Sequence, residues 1–510
     1  MILLDGGSLT IEQLVAIADA GAAVGLAPGA ARRVDASRAV VERHASADTP
    51  VYGINTGFGA LAETAIPRGA LGRLQLNLLR SHAAGVGTPL PVRAVRASMA
   101  LRANVLAKGF SGIRRETLER LIALLNSGVH PRVPSRGSVG ASGDLAPLAH
   151  IGLVLVGEGE ATIGHSPEVL SGRAALDVAA LRPVVLEAKE GLALINGTQP
   201  STAIAALALD GAARLARAAD IAAALSIDAM RGSMDPFDPR IHAARPHQGQ
   251  GTSAANILQL LTGSAINKSH EHCGRVQDAY SLRCAAQVHG AARDALRFAR
   301  ETLSIEANAA TDNPMVFPAE GEDEPAIVSG GNFHGAPVAI AADVITVALA
   351  HLATISERRA DRLVNPALSG LPAFLTPNSG LQSGYMVAQV TAAALTSELK
   401  TLAHPASVDT IPTSANREDH VSMSMGAALK AASALEHAID IVAIEILCAC
   451  QGLDLLAPLT TSPALQRVHA RVRAIVPTLT DDRPPAPDIG AIARLIAEGS
   501  LASSSGVEVK

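Results

Sequence analysis

Gly137-Ser138-Val139-Gly140-Ala141-Ser142-Gly143-Asp144-Leu145-Ala146-Pro147-Leu148-Ala149-His150 decides how this chain is read. Glycines punctuate its first half, three small residues stand at its centre, and after Asp144 it turns apolar. That order predicts a loop running into a helix N-terminus, with Asp144 at the cap. The tripeptide Ala141-Ser142-Gly143 permits an unusual backbone reaction. If the Gly143 nitrogen attacks the Ala141 carbonyl and two waters leave, a five-membered ring closes whose exocyclic methylene is the former Ser142 Cβ. Glycine tolerates the bend and alanine adds no bulk. The product is a strong electrophile, and helix-terminal N–H dipoles beside it stabilise the negative charge it gains on accepting a nucleophile. Ala-Ser-Gly alone is an ordinary loop tripeptide. The longer string sets this one apart.

Working outward, Thr10 and Gln13 form a capping box ahead of Leu14, Ile17 and Ala18, predicting a helix from about Thr10 to Ala20 that Gly21 stops. Val51–Gly59 holds three glycines in nine residues and is expected to be a loop that presents side chains. Helical spacing returns over Leu71–Ala84 and as a pair within Val92–Ser127. After Asn196-Gly197-Thr198 long helical segments dominate, near Ser201–Ala229, Tyr280–Ser304, Gly384–Leu402 and Ala427–Gln451. Pro337 opens another, with Val338, Ala341, Ile345, Leu349, Leu352 and Ile355 at three- and four-residue steps. Prolines in Asp481–Pro487 mark the last break before a helical tail from Ile489 to Leu501. The expected domains are an N-terminal one over 1–200, a long-helix bundle over 201–475 and a C-terminal segment over 476–510. Helices apolar on more than one side predict an oligomer.

The chain has 510 residues, 48% hydrophobic and 17% charged, with no Trp, three Tyr and seven Phe, which suits Ala/Leu-rich helix packing. A net charge of −5 without a basic tract gives nucleic-acid binding no electrostatic support. Four cysteines, Cys273, Cys284, Cys448 and Cys450, are too few for a disulfide framework and fit a reducing cytoplasm. The start lacks a charged region followed by an apolar core, so no signal peptide is expected. No apolar run is expected to reach the ~20 residues of a membrane span. The candidate Ile204–Ile227 is interrupted by Asp210, Arg214, Arg217 and Asp220. His270-Glu271-His272-Cys273 carries metal-ligand residue types, but not at the His-Glu-x-x-His spacing, and adjacent helical residues diverge, so no metal is expected.

The stretch Gly140 to His150 closely resembles the signature of the aromatic amino acid ammonia-lyases, which carry 4-methylideneimidazol-5-one (MIO), and the resemblance covers nearly the whole chain. It implies a mainly α fold of the ammonia-lyase/fumarase type, MIO formed from Ala141, Ser142 and Gly143 with no external cofactor, and a homotetramer whose neighbouring subunits complete each active site. Amine elimination needs a captured leaving group and a base for a weakly acidic β-hydrogen. The resemblance assigns that base to Tyr52, in Tyr52-Gly53-Ile54-Asn55. A phenol with pKa near ~10 requires nearby dipoles or cations to ionise. It further assigns Arg283 to the substrate carboxylate, which a guanidinium clamps in bidentate fashion. Gln277 and Tyr280 stand beside the substrate by the same resemblance, Asn196 orients ring or substrate, and Phe333 packs against MIO. If Tyr280 onward is helical, Tyr280 and Arg283 share a face.

Two positions speak to the substrate. His82 stands where the family reads the substrate ring, and a histidine there resembles the histidine ammonia-lyases. The Glu418 carboxylate suits an imidazole N–H and would be left unpaired by a phenyl ring. Departures from that subfamily pattern occur at Arg417, Ala279, Ala285-Ala286, Leu399 and Pro200 while the catalytic positions survive, as in a paralogue acting on a modified histidine. Arg417 adds a cation beside Glu418. The expected reaction is elimination of ammonia from L-histidine to give urocanate. The alternatives are elimination of trimethylamine from ergothioneine, a histidine 2,3-aminomutase, and, from another class, a silent helical scaffold. Retention of Tyr52, Ser142, Asn196, Tyr280 and Arg283 argues against the last.

Overall fold

A computed structural model describes residues 1–510 except 48, 62, 272, 273, 275, 320, 322 and 323. His272 and Cys273 of the His-Glu-His-Cys motif therefore lie outside the described residues. The mainly α expectation holds: helices carry the fold, and the strands are two to four residues long. By compactness the chain divides into two units that are not contiguous in sequence. One comprises Met1–Leu207, Arg300–Asp343 and Pro405–Leu429; the other comprises Ala208–Ala299, Val344–His404 and Lys430–Lys510.

The first unit is built around the Val92–Ala107 helix, buried along its whole length from Ala94. Ile11–Asp19, Pro28–Ala45 and Arg115–Asn126 pack on it. The Ile11–Asp19 helix starts as the sequence dictates, with Thr10 Oγ1 accepting from Gln13 N at 3.2 Å and Gln13 Oε1 accepting from Thr10 N at 3.0 Å. Short sheets close the edges of this unit. Ile2–Leu4 pairs in parallel with Val24–Leu26, Val129–Pro131 lies antiparallel to Glu160–Ile163, and Met315–Phe317 forms a hairpin with Ala326–Val328. Val86–Pro89 pairs with Pro134–Arg136 where the sequence suggests only a glycine break. Three further helices, Leu71–His82, Leu145–Leu155 and Glu190–Ile195, pack against one another in every pairing.

In the second unit the long segments expected from apolar spacing are present, with one correction. Tyr280–Arg283 is a separate short turn of helix, and the main helix begins at Ala285, because Cys284 leaves helical geometry at φ −102°, ψ 12°. Polar residues in the Gln199–Ala229 helix are accommodated in pairs: Asp210 with Arg214 four residues on, and Asp220 with His289, Arg293 and Asn256.

The membrane expectation also needs correcting. Among the described residues one helix, Ala336–Val364, is long and apolar enough to span a bilayer by length and composition. Its most apolar stretch is 67% buried within the fold. It is a core helix whose charged residues crowd into the last third (Glu357, Arg358, Arg359, Asp361, Arg362), with Asp343 the one residue of Asp, Glu, Lys or Arg type before them.

Candidate active site

Each helix of the packed trio offers an end to one cavity of about 920 Å³ whose lining belongs wholly to the first unit. His82 closes the C-terminus of Leu71–His82, Leu145 opens Leu145–Leu155, and Asn196 follows Ile195 directly. Tyr52, Ala141, Ser142, Phe333, Arg417 and Glu418 line the same space. Eight of the twelve residues singled out from the sequence thus line one cavity, and Gly143, a ninth, follows Ser142 directly.

The central loop is held from several sides. Asp144 N donates to Gly197 O at 2.8 Å, Met423 N to Val139 O at 2.8 Å, and Ser422 Oγ to Gly140 O at 2.8 Å. Gly143 has φ +71°, a left-handed conformation, and a Cβ there would fall onto the Gly197 carbonyl. Ala141 is 7% exposed and lines the cavity, and Ser142 faces it beside Ala141. Small, bent, confined backbone around one accessible serine is what ring closure at this tripeptide requires.

Asp144 corrects a local expectation. It occupies the N-cap position of Leu145–Leu155, yet its carboxylate does not cap that helix. It accepts instead from Ser138 Oγ at 2.7 Å and from Ser201 N at 2.8 Å, capping the first turn of the Gln199–Ala229 helix. Burial pushes its pKa up, with those hydrogen bonds opposing.

Glu418 faces Ser142, whose Oγ donates to Glu418 Oε1 at 3.3 Å, and its other oxygen accepts from Thr413 Oγ1. His82 is half-buried, and its Nδ1 lies 2.9 Å from Leu78 O and 3.0 Å from Ser81 Oγ. Burial lowers its pKa, against the Leu78 carbonyl and the charge of Glu418, so the ring is held toward its neutral form. Tyr52 stands in a loop stapled by Asn55, whose Oδ1 accepts from Val51 N at 2.6 Å and whose Nδ2 donates to Thr49 O at 3.0 Å. Arg417 is exposed at the cavity. His334 and His420 also line it, their rings stacked at 5.8 Å.

Gln277, Tyr280 and Arg283 belong to the second unit and do not line this cavity. Tyr280 is 71% exposed, with the Arg283 guanidinium 4.6 Å from its ring centroid, so the two do share a face.

Behind Asn196 stands a group that sequence reasoning missed. Lys189 Nζ donates to Asp312 Oδ2 at 3.0 Å, and Asp312 Oδ1 accepts from Asn196 Nδ2 at 3.1 Å. Arg102, also buried, donates to Asn196 O at 2.9 Å and to Gln199 Oε1 at 2.8 Å. Burial pushes the Arg102 guanidinium down to about 10, opposed by Asp312. The one local signal is Lys189-Glu190 standing alone before an apolar run; Asp312 reads as part of a turn.

Residues 9–474 match the model of the family described as aromatic amino acid lyase. The chain is 58% identical over 507 residues to the histidine ammonia-lyase of Anaeromyxobacter dehalogenans strain 2CP-C, covering 98% of this chain and 99% of that protein. It superposes on the crystal structure of histidine ammonia-lyase from Trypanosoma cruzi with a TM-score of 0.91 at 44% identity, covering 99% of this chain and 95% of that one. A tyrosine aminomutase from Streptomyces globisporus matches with a TM-score of 0.93 at 38% identity, over the full length of both chains.

Proposed function

Because this chain belongs to the aromatic amino acid lyase family, we propose that it removes the α-amine of L-histidine as ammonia, giving urocanate, on an MIO ring made from Ala141, Ser142 and Gly143. The observation that carries the reading is Glu418 Oε1 at 3.3 Å from Ser142 Oγ, inside a cavity that also holds His82. A carboxylate at that distance from the ring-forming serine reaches the imidazole of a substrate whose amine meets the serine's carbon. A phenyl ring there would leave it unpaired. The 58% identity to a protein named histidine ammonia-lyase supports the same substrate.

When formed, the ring supplies an electrophilic carbon that converts the amine into a leaving group. The chain's own residues do the rest. Tyr52 takes the β-proton. Glu418, with one oxygen held by Thr413, accepts the imidazole N–H, and His82, its Nδ1 at the Leu78 carbonyl, bounds the same cavity. Phe333 bounds the ring and Arg417 adds positive charge at the mouth. Gln277, Tyr280 and Arg283 come from a neighbouring subunit of a homotetramer, where Arg283 clamps the substrate carboxylate. This proposal places the enzyme in the cytoplasm, in keeping with the free thiols of Cys284, Cys448 and Cys450.

Intact-mass measurement and a substrate panel test the proposal. The purified chain is expected to be lighter than its translation by two waters, to convert L-histidine faster than ergothioneine, phenylalanine or tyrosine, and to release a conjugated acid. Ser142→Ala is expected to abolish turnover. An unmodified mass in active protein overturns the ring, and any other substrate outpacing histidine overturns the reading of Glu418 and His82.

A further inference from the structure

Lys189 combines two costly features. Its backbone lies at φ +68°, a region that penalises any residue with a Cβ, and its side chain is 0% exposed. A glycine would relieve the first cost and a leucine the second. What the lysine gains is Asp312, whose side chain is 1% exposed, at 3.0 Å. Its sequence neighbour Glu190 is already engaged by Arg114 and Thr117.

The hydrogen bonds around Asp312 fix one outcome. Oδ2 accepts from Lys189, while Oδ1 accepts from Asn313 N at 2.7 Å and from Asn196 Nδ2 at 3.1 Å. The second hydrogen of the Asn196 amide goes to Asn313 O at 3.0 Å. Both partners are acceptors, so the nitrogen must face them, and what Asn196 has left to offer the cavity it lines is its carbonyl oxygen. Asn313 O claims one of the amide's hydrogens by itself, and Asp312 is the second acceptor on the same side.

We infer that Lys189 and Asp312 are positioning residues that lock the Asn196 amide with its oxygen toward the substrate, making it an acceptor for the N–H groups of the substrate's α-amine. The inference rests on L-histidine as substrate. Lys189 demands an oxygen from residue 312, which compels a carboxylate there to turn its other oxygen to Asn196. Burial lowers the Lys189 pKa, opposed by Asp312, and nearby Arg102 lowers it further.

The test uses the matured full-length enzyme and two readouts: kcat/KM for L-histidine, and the inhibition constant of 3-(imidazol-4-yl)propanoate, which lacks the amine. In Asp312→Asn, Lys189 takes the amide oxygen and the new NH2 group faces Asn196, whose amide then loses one of the two acceptors that hold its nitrogen on that side. The histidine value is expected to fall about tenfold or more, the size of effect that leaving a polar group unpaired produces. The des-amino inhibitor is expected to bind within about twofold of wild type, which also reports an intact cavity. In Lys189→Met/Asp312→Asn no ammonium claims the oxygen, the amide turns back, and most of the histidine loss is expected to be recovered. Equal weakening of both ligands, or a double variant no better than the single one, overturns the inference. A wild type inactive on L-histidine overturns the substrate reading and this inference with it.

Discussion

Asp312 in the first unit and Asp220 in the second are both buried, at 2% and 0% exposure, and each accepts three hydrogen bonds. Asp220 takes His289 Nδ1 at 2.7 Å, Arg293 at 2.6 Å and Asn256 Nδ2 at 2.9 Å. Those donors stand on Ala285–Glu306 and Gln248–Leu261, so the aspartate ties its own helix to two others. Burial raises its pKa, but Arg293, His289 and Asn256 outweigh that and hold it below the ordinary carboxylate value. Asp312 gives one of its bonds to an amide that lines the cavity. Burial and pairing are alike in the two places. What separates a tie from a positioning device is whether the last bond ends on a residue that meets substrate.

The contrast breaks first at Asp220. Asp220→Ala leaves Arg293 and a buried histidine without their shared acceptor, and stability is expected to fall by about 3–5 kcal/mol. Urea unfolding measures the loss. The protein that remains folded is expected to keep its kcat/KM for L-histidine within about twofold. A selective catalytic defect with unchanged stability would make Asp220 the same kind of residue as Asp312.

Glu418→Ala is the reverse case. The carboxylate contacts Ser142 and Thr413 at the cavity and ties no helices together. The kcat/KM for L-histidine is expected to drop about 10²–10³-fold, in line with a site deprived of the group that reads a polar substrate edge. Unfolding free energy is expected to stay within about 0.5 kcal/mol. A comparable loss of stability would move Glu418 to the structural side of the comparison.

A pair of buried histidines sharpens it next. His289 has Asp220 beside it, whereas His130 is pushed down to about 4 by burial first and then by the neighbouring Arg96 guanidinium. Both fold neutral. As pH falls from the unfolded value near ~6.5 toward 4, the unfolded chain binds protons that the folded chain refuses, so stability falls with pH across that window. One such histidine contributes at most about 1.4 kcal/mol per pH unit. His130→Gln is expected to flatten the acid side of the stability curve by part of that slope while leaving histidine turnover at neutral pH unchanged.

These contrasts also mark what the sequence carried. The Gly137 to His150 stretch, the Val51–Gly59 loop and the Arg417-Glu418 segment hold their identity in short strings, and Tyr52, Ser142 and Glu418 line one cavity. Helix starts written in a few residues, such as Thr10 to Gln13, were equally legible. Lys189 and Asp312 were not, because their partnership spans 123 positions and neither residue sits in a periodic pattern. Asp144 misled for a related reason: it stands at one helix's cap position, while the N–H it satisfies belongs to a helix that starts 55 residues later. The departures at Arg417, Ala279 and Leu399 suggested a modified substrate, yet a relative 58% identical is named histidine ammonia-lyase. Leu399 itself is a buried packing residue, 1% exposed.

The smallest effect belongs to the first unit's edge and tests whether the unit or the contact decides. Thr10 and Gln13 exchange two hydrogen bonds at the start of Ile11–Asp19, and neither residue lines the cavity. Thr10→Ala removes the acceptor for Gln13 N and is expected to cost about 1 kcal/mol of stability, with Thr10→Ser retaining most of it. If membership in the cavity-bearing unit were what mattered, kcat/KM for L-histidine would follow the stability loss. If the last hydrogen bond is what matters, turnover by folded enzyme stays at the wild-type value, because the cap ends on backbone that meets no substrate.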